Sequence, residues 1–285
     1  MLRNTPPSTH ERGSGKEVSV KGRSPLRLLQ ISDFHLRQKY GDTLLGVDTE
    51  HSFKETLAAA LADHPSPDLA LLTGDLAQDA SPETYQRLCN SLAPLPCPAY
   101  CLPGNHDDSA LMANFLAGSS IFCESRIELG SWQIICLDSC IPGSPNGRLA
   151  VEQWGLLEQW LATRPDQHTL IALHHPPIPT GSAWLDTMQL QNSAQFLATL
   201  RNHQQVKGVI FGHIHQELDV EEAGLRLLGC PSTCFQFKPG QAEFTIDLVP
   251  PGYRWLELYP DGLIATSVGR LNNIPAGLSP QAEGY

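Results

Sequence analysis

The sequence predicts an α/β protein, with two β-sheets packed face to face and flanked by helices. Three observations carry this. Short, continuous apolar runs recur from residue 28 to residue 211, the pattern of strands buried on both faces. Amphipathic stretches lie between them. After Phe211 the helical stretches give way to strand-like runs separated by Gly and Pro turns. A chain of 285 residues, 41% hydrophobic and 17% charged, has ample material for a core of this kind.

Taken in order, residues 1–24 are polar and mixed in charge, without an apolar segment. They are expected to form a flexible leader, neither a secretory signal nor a membrane anchor, ahead of one domain over residues 25–285. Leu28-Leu29-Gln30-Ile31 is the first strand. Residues 52–62 place Phe53, Leu57, Ala60 and Leu61 on one helical face. Leu69-Ala70-Leu71-Leu72 follows as a strand. Ser81-Pro82-Glu83 opens a helix, with Ser as cap and Pro at the first helical position. Tyr100-Cys101-Leu102 and Ile134-Ile135-Cys136-Leu137 are further strands. Val151, Trp154, Leu157, Trp160 and Leu161 make a helical packing stripe. Leu170-Ile171-Ala172-Leu173, a helix over 192–200 and Val209-Ile210-Phe211 come next. Residues 225–228, 244–248, 254–258 and 263–268 complete the strands.

Five polar clusters sit at the ends of these runs: Asp33-Phe34-His35, Gly74-Asp75, Gly104-Asn105-His106-Asp107, His174-His175-Pro176 and Gly212-His213-Ile214-His215. In sheets of this class, ligands bind beyond the carboxyl ends of strands. Asp33 and His35 stand two apart and can point to one side; alone, the pair would read as a capping Asp beside a surface His. A carboxylate such as Asp75 has two oxygens and can bridge two metals; alone, Gly-Asp is a turn with a helix cap. Asn105 offers a neutral carbonyl ligand. Its neighbour His106 cannot easily share the same metal, so it suits a proton donor or a phosphate contact. Adjacent residues leaving a strand diverge, so one of His174 and His175 is a ligand. His213 and His215 place two imidazoles on one side, one for each of two metals. Asp and His together form a donor set for iron, manganese or zinc, and metal pairs activate water against phosphorus.

Other residues read as ordinary. His10, His51, His64, His168 and His203 are expected at the surface. Asp79, Asp107 and Asp108 are candidate acceptors for ligand imidazoles. Trp184, Phe235 and Phe237 could stack on a base, but core packing is the expectation. The eight cysteines include no C-x-x-C pair and read as reduced, mostly buried thiols. A net charge of −11 disfavours a nucleic-acid surface, and no apolar stretch approaches a membrane span. The expectation is a cytoplasmic enzyme acting on a small anion.

The order D-x-H, G-D, G-N-H-D, H-x-P, G-H-x-H resembles that of the calcineurin-like metallophosphoesterases. From Leu28 onward the chain is similar to their bacterial class III 3′,5′-cyclic AMP phosphodiesterase group. Gly74-Asp75-Leu76-Ala77-Gln78-Asp79, Ser182-Ala183-Trp184-Leu185-Asp186, Gly212-His213-Ile214-His215-Gln216-Glu217-Leu218-Asp219, the run from Pro231 to Pro239 and the terminal Glu283-Gly284-Tyr285 carry the likeness. The resemblance implies a four-layer αββα sandwich of two mixed sheets flanked by helices. It also implies that Asp33, His35 and His215 hold one metal, that Asn105, His174 and His213 hold the second, and that Asp75 bridges. His35, Asp75, Asn105, His106 and His215 would meet the phosphate, with His106 catalytic as proton donor to the leaving oxygen. The implied cofactors are two divalent ions, iron(II) or manganese(II), with zinc or cobalt as alternatives. Gln78 stands where purple acid phosphatases carry a metal-binding Tyr, and Asp107 where protein phosphatases carry Glu.

The expected activity is hydrolysis of 3′,5′-cyclic AMP to 5′-AMP by a hydroxide that a metal pair activates. A broader phosphodiesterase is the runner-up. A non-catalytic nucleotide sensor is the alternative from another class, and the intact ligand set argues against it.

Overall fold

The first six apolar runs all become strands of two six-stranded sheets. The computed structural model describes residues 24–116, 120–222, 224–282 and 284. The expected leader therefore lies outside the described residues, Ser24 excepted. Along the chain the elements are β1 (Leu26–Ile31), α1 (Thr49–Asp63), β2 (Leu69–Thr73), α2 (Pro82–Leu92), β3 (Ala99–Leu102), α3 (Ser109–Leu116), β4 (Ile121–Phe122), β5 (Arg126–Leu129) and β6 (Trp132–Cys136). They continue with α4 (Val151–Thr163), β7 (His168–Leu173), α5 (Ala183–Asp186), α6 (Ser193–Arg201), β8 (Val206–Phe211), β9 (Leu218–Glu222), β10 (Leu225–Gly229), β11 (Gly252–Leu258) and β12 (Ile264–Arg270).

The first sheet runs β12-β11-β1-β2-β3-β4, and the second β9-β10-β8-β7-β6-β5. Each has a parallel centre with antiparallel strands outside it. Alternation along the strands divides the core into three. Leu29 and Ile31 pack with Phe53 and Leu57 of α1 and Tyr85 and Leu88 of α2. Leu28 turns the other way and meets Leu71, Ile134, Leu170 and Ile210 between the sheets. Ile171 and Val209 face Leu157 and Leu161 of α4 and Phe196 of α6. Helix, sheet, sheet and helix thus form the expected four-layer αββα sandwich.

Buried polar groups tie the layers where the site lies. Gln30 of β1 is fully buried, and its Nε2 donates to Thr73 Oγ1 at 3.1 Å and to Phe211 O at 3.2 Å. A buried amide with partners on both sheets fixes their offset, since an unmade bond there costs about 1–3 kcal/mol. Ser81 caps α2 as read, accepting from Thr84 N at 3.2 Å with Pro82 behind it.

Some expectations needed correction. Val151 is 81% exposed, so the packing face of α4 is carried by Leu157 and Leu161 with half-buried Trp154 and Trp160. The run 244–248 supplies only Ile246–Asp247, paired with Gln236–Phe237. Edge strands β5 and β9 were not foreseen, because each has one polar face and little apolar signal. His168 is half-buried against Trp132 and bonded to Pro260 O. Among the described residues, no helix is long and apolar enough to cross a membrane.

Candidate metal centre

The parallel strands β1, β2 and β3 of one sheet and β7 and β8 of the other all end at the same edge of the sandwich. Asp33 and His35 follow β1, Asp75 follows β2, and Asn105 and His106 follow β3. His174 follows β7, and His213 and His215 follow β8. All eight residues come together.

The backbone there is unusual. Asp33, His35, Asp75, His213 and His215 have φ of 58°, 49°, 50°, 68° and 48°. Among the described residues only Leu45 shares that conformation without being glycine. A left-handed residue with a Cβ costs about 1–2 kcal/mol. Five such residues at one site mark strain held for function. The turn glycines are also required by close contact, Gly74 having a left-handed φ of 93° besides. A Cβ on Gly104 would lie 2.1 Å from Asp75 Oδ1, and one on Gly74 would lie 2.4 Å from His174 Nδ1. The ligand side chains pass directly over these two residues.

Two groups of donors converge. In the first, His35 Nε2 and His215 Nε2 are 3.1 Å apart, and His215 Nε2 is 3.6 Å from Asp33 Oδ1. In the second, His174 Nε2 is 3.2 Å from Asn105 Oδ1 and 3.2 Å from His213 Nδ1. Asp75 Oδ2 reaches both, at 3.7 Å from His35 Nε2 and 3.3 Å from His174 Nε2. Donors bound about 2.0–2.2 Å from one ion stand roughly 3.0–3.6 Å from each other. The spacing of lone pairs therefore fits two cation sites sharing Asp75.

The rings are aimed by their far nitrogens. His35 Nδ1 bonds Gln78 Oε1 at 2.8 Å, His174 Nδ1 donates to Thr73 O at 2.9 Å, and His215 Nδ1 donates to Phe235 O at 2.9 Å. A carbonyl only accepts, so each of these nitrogens carries the hydrogen and Nε2 is left facing the site. His213 is reversed: its Nδ1 faces His174, and its buried Nε2 has no partner among the described residues. Sequence reasoning missed Thr73, Gln78 and Phe235 as acceptors. Two of them act through backbone carbonyls, which leave no residue signature.

The His174 and His175 rings stand edge to face with centroids 5.0 Å apart. The His175 ring turns back to Ser139, with Nδ1 2.8 Å from Ser139 Oγ, although one of its ring nitrogens stays within 4.8 Å of ligand atoms of His174 and His213. His106 N donates to Asp75 Oδ1 at 3.0 Å, and its ring stands edge-on to His35 with centroids 5.2 Å apart. Its ring nitrogen lies within 4.8 Å of donors on His35 and Asp75. Asp79, Asp107 and Asp108 do different work from that expected. The Asp107 carboxylate accepts from Leu76 N, Ala77 N and Gly104 N and from the Tyr85 hydroxyl, so it locks the β2 and β3 loops together. Asp79 bonds Gln38 N, and Asp108 caps α3 through Ala110 N and Leu111 N.

Burial governs the charges. It pushes His35 down to about 4 and His213 to about 3, and holds His215 well below the usual imidazole range. These rings are neutral at pH 7 and can donate lone pairs. Burial also raises Asp33, to about 7. Asp75 is held well below the carboxylate range, because His174 and His106 outweigh its burial. Against burial, Asp75 in turn lifts His174 to about 9, so three neutral imidazoles and one firmly ionised carboxylate face the site, with His174 needing to lose a proton before it can join them. Such a set suits divalent ions of borderline hardness.

A cavity of about 460 Å³ opens from this centre. Asp75, Asn105, His106 and His213 form one end, and Trp184, Met188, Phe237 and Phe244 form an apolar wall. Phe237 also stacks on His215 at 4.2 Å, and Phe235 is wholly buried. Core packing thus holds for Phe235, whereas Trp184 is half-buried and faces the cavity.

Residues 26–217 match the family model described as calcineurin-like phosphoesterase. The chain is 42% identical to the 3′,5′-cyclic adenosine monophosphate phosphodiesterase CpdA of Escherichia coli (strain K12), over 94% of this chain and 98% of that protein. It is 38% identical to the protein of the same name in Pseudomonas aeruginosa, over 90% and 94%. Among solved structures, a dimetal phosphatase from Danio rerio superposes with a TM-score of 0.63 at 14% identity, covering 90% of this chain and all of that one.

Proposed function

The chain belongs to the calcineurin-like phosphoesterases, and from that premise we propose that it hydrolyses 3′,5′-cyclic AMP to 5′-AMP in the cytoplasm. One observation carries the reading: two donor groups meet on Asp75 at the polar end of a cavity whose other wall is aromatic. Such a cavity offers charge to a phosphodiester and a flat apolar surface to a base. Similarity to cyclic AMP phosphodiesterases over most of the chain supports that substrate.

We assign Asp33, His35 and His215 to one divalent ion, Asn105, His174 and His213 to the other, and Asp75 to both. Iron(II) or manganese(II) suits this mixture of imidazole and oxygen donors best, and zinc or cobalt fits the same set. When bound, the pair supplies charge to a phosphoryl oxygen and acidifies a water for attack on phosphorus.

The protein's own residues do the rest. Burial keeps His35, His213 and His215 unprotonated, so their lone pairs are available to a cation, whereas His174 must first give up its proton. Gln78, Thr73 and Phe235 fix ring orientations before any ligand arrives. The backbone bond from His106 to Asp75 holds the β3 loop against the bridging carboxylate. That places the His106 ring over the centre, where it donates a proton to the departing 3′-oxygen. His35, Asp75, Asn105, His106 and His215 border the position of the phosphate.

The test is kcat/KM for cyclic AMP, cyclic GMP and a linear diester, with metal content measured on the same sample. Cyclic AMP should be preferred, with activity tracking two bound ions. Equal rates on all three substrates would replace this reading with a general phosphodiesterase. Full turnover after complete chelation would remove the metal assignment.

A further inference from the structure

Away from the metal centre, two sulfurs meet. Cys101 Sγ lies 3.3 Å from Cys123 Sγ. Strands β3 and β4 are parallel, with Ala99 opposite Ile121 and Tyr100 opposite Phe122. Cys101 and Cys123 each follow that last pair directly, and their sulfurs meet. Neighbouring strands run about 4.8 Å apart, inside the roughly 4.4–6.8 Å Cα separation of a disulfide. A disulfide requires the sulfurs to close from 3.3 Å to about 2.05 Å.

The two thiols are not equivalent. Cys101 is 3% exposed, whereas Cys123 is exposed. A cavity of about 210 Å³, lined by Cys101, Cys123, Cys136 and Met112, lies against them. The hydrogen bond from Cys101 holds the Cys123 thiol below its ordinary range, and the same contact, with burial, pushes Cys101 up. An accessible, activated sulfur beside a shielded one is the arrangement of a peroxide-reactive thiol and a resolving thiol.

We propose that Cys101 and Cys123 form a reversible intramolecular disulfide, with a peroxide as oxidant and two equivalents of a small thiol, or one dithiol, as reductant that leaves as its own disulfide. The Cys123 sulfur attacks one peroxide oxygen and the O–O bond breaks. Cys123 becomes a sulfenic acid, and the other oxygen leaves as water. The Cys101 sulfur then attacks the Cys123 sulfur, the S–O bond breaks, and a second water leaves with the Cys101 proton. Two electrons pass from the thiol pair to the peroxide. The movement falls on Cys123, because β4 is a two-residue strand at the sheet edge while β3 is paired on both sides. The bond would close residues 101–123 into a covalent loop that contains Asn105 and His106.

The metal-loaded full-length protein is treated with a slight excess of hydrogen peroxide. It is then denatured and alkylated with N-ethylmaleimide, and its peptides are mapped by mass. Two of the eight thiols should escape alkylation. A cross-linked peptide joining Cys101 to Cys123, lighter by two hydrogens, should appear, and dithiothreitol should reverse both changes. Cys123→Ser, at an exposed position, should leave every remaining thiol alkylatable at the same dose. Cys136→Ser should still form the link. Full alkylation of the oxidised wild type would overturn the proposal, and so would a Cys123–Cys136 link. Cys123 ending as a sulfinic acid beside a free Cys101 would also overturn it.

Discussion

His174 Nε2 stands 3.3 Å from Asp75 Oδ2, and the two residues come from different sheets. Both are buried, and burial alone would lower the imidazole and raise the carboxyl. Facing each other, they reverse that: Asp75 lifts His174 to about 9 despite burial, and His174 helps hold Asp75 well below the carboxylate range. Without a metal, this pair keeps a proton where the proposed second ion would sit.

Metal uptake should therefore weaken as pH falls. A cation binding at the shared site must displace the proton that His174 keeps up to about 9, and below about 7 also one from Asp33. Affinity should drop about tenfold per pH unit from pH 9 to 7, and approach about 100-fold per unit below that. Calorimetric titration of chelated protein with manganese(II) at about pH 6, 7 and 8 measures this slope and the protons released. Constant affinity across that range would contradict the charge state assigned to His174.

Asp75→Ala should be the most damaging single ligand change. Asp75 Oδ2 is within reach of both donor groups, and Asp75 Oδ1 also anchors His106 N. Changes to residues behind the ligands cost about 10–100-fold in such centres, so loss of the shared ligand should exceed ~10²-fold in kcat/KM. Metal analysis should find fewer than two ions per chain. Two retained ions with near-native turnover would refute the bridging assignment.

Much of this was legible before the structure because the central strands are buried on both faces. Leu28 to Ile31 and Leu170 to Leu173 need no alternation, so they stand out as apolar runs. The ligands stand out because Asp, His and Asn follow those runs directly. The left-handed backbone at Asp33, His35, Asp75, His213 and His215 was not legible. None of those residue types demands it, and the surrounding packing imposes it. The role of Asp107 was misread for a related reason. Its partners are mostly backbone N–H groups of two loops that only the fold brings together.

Trp184→Ala should act on the nucleotide and not on the metals. The indole forms part of the cavity wall with Phe237 and Phe244, at centroid distances of 4.9 and 5.1 Å, and is not among the proposed metal ligands. An aromatic contact of this kind is worth about 0.5–1.5 kcal/mol beyond its buried area. KM for cyclic AMP should rise roughly tenfold, with two ions retained and turnover of a bis-nitrophenyl phosphate nearly unchanged. Equal losses on both substrates would mean that Trp184 only supports the fold.

His106→Ala should separate metal binding from catalysis. The ring stands edge-on to His35, and the residue is tied to Asp75 through its backbone N–H, a bond that alanine keeps. The variant should therefore hold two ions and lose kcat. The loss should depend on the leaving group. A ribose alkoxide needs a proton as the P–O bond breaks, whereas a nitrophenolate departs with little help, and general-acid catalysis contributes about 10²–10⁴-fold. The measurement is the ratio of the rate defect on cyclic AMP to that on a nitrophenyl phosphodiester. A ratio well above one supports proton donation to the 3′-oxygen. A ratio near one would assign the ring to stabilising charge on the phosphate instead. Loss of an ion would make His106 a ligand, which its ring nitrogen, within 4.8 Å of donors on His35 and Asp75, is close enough to be.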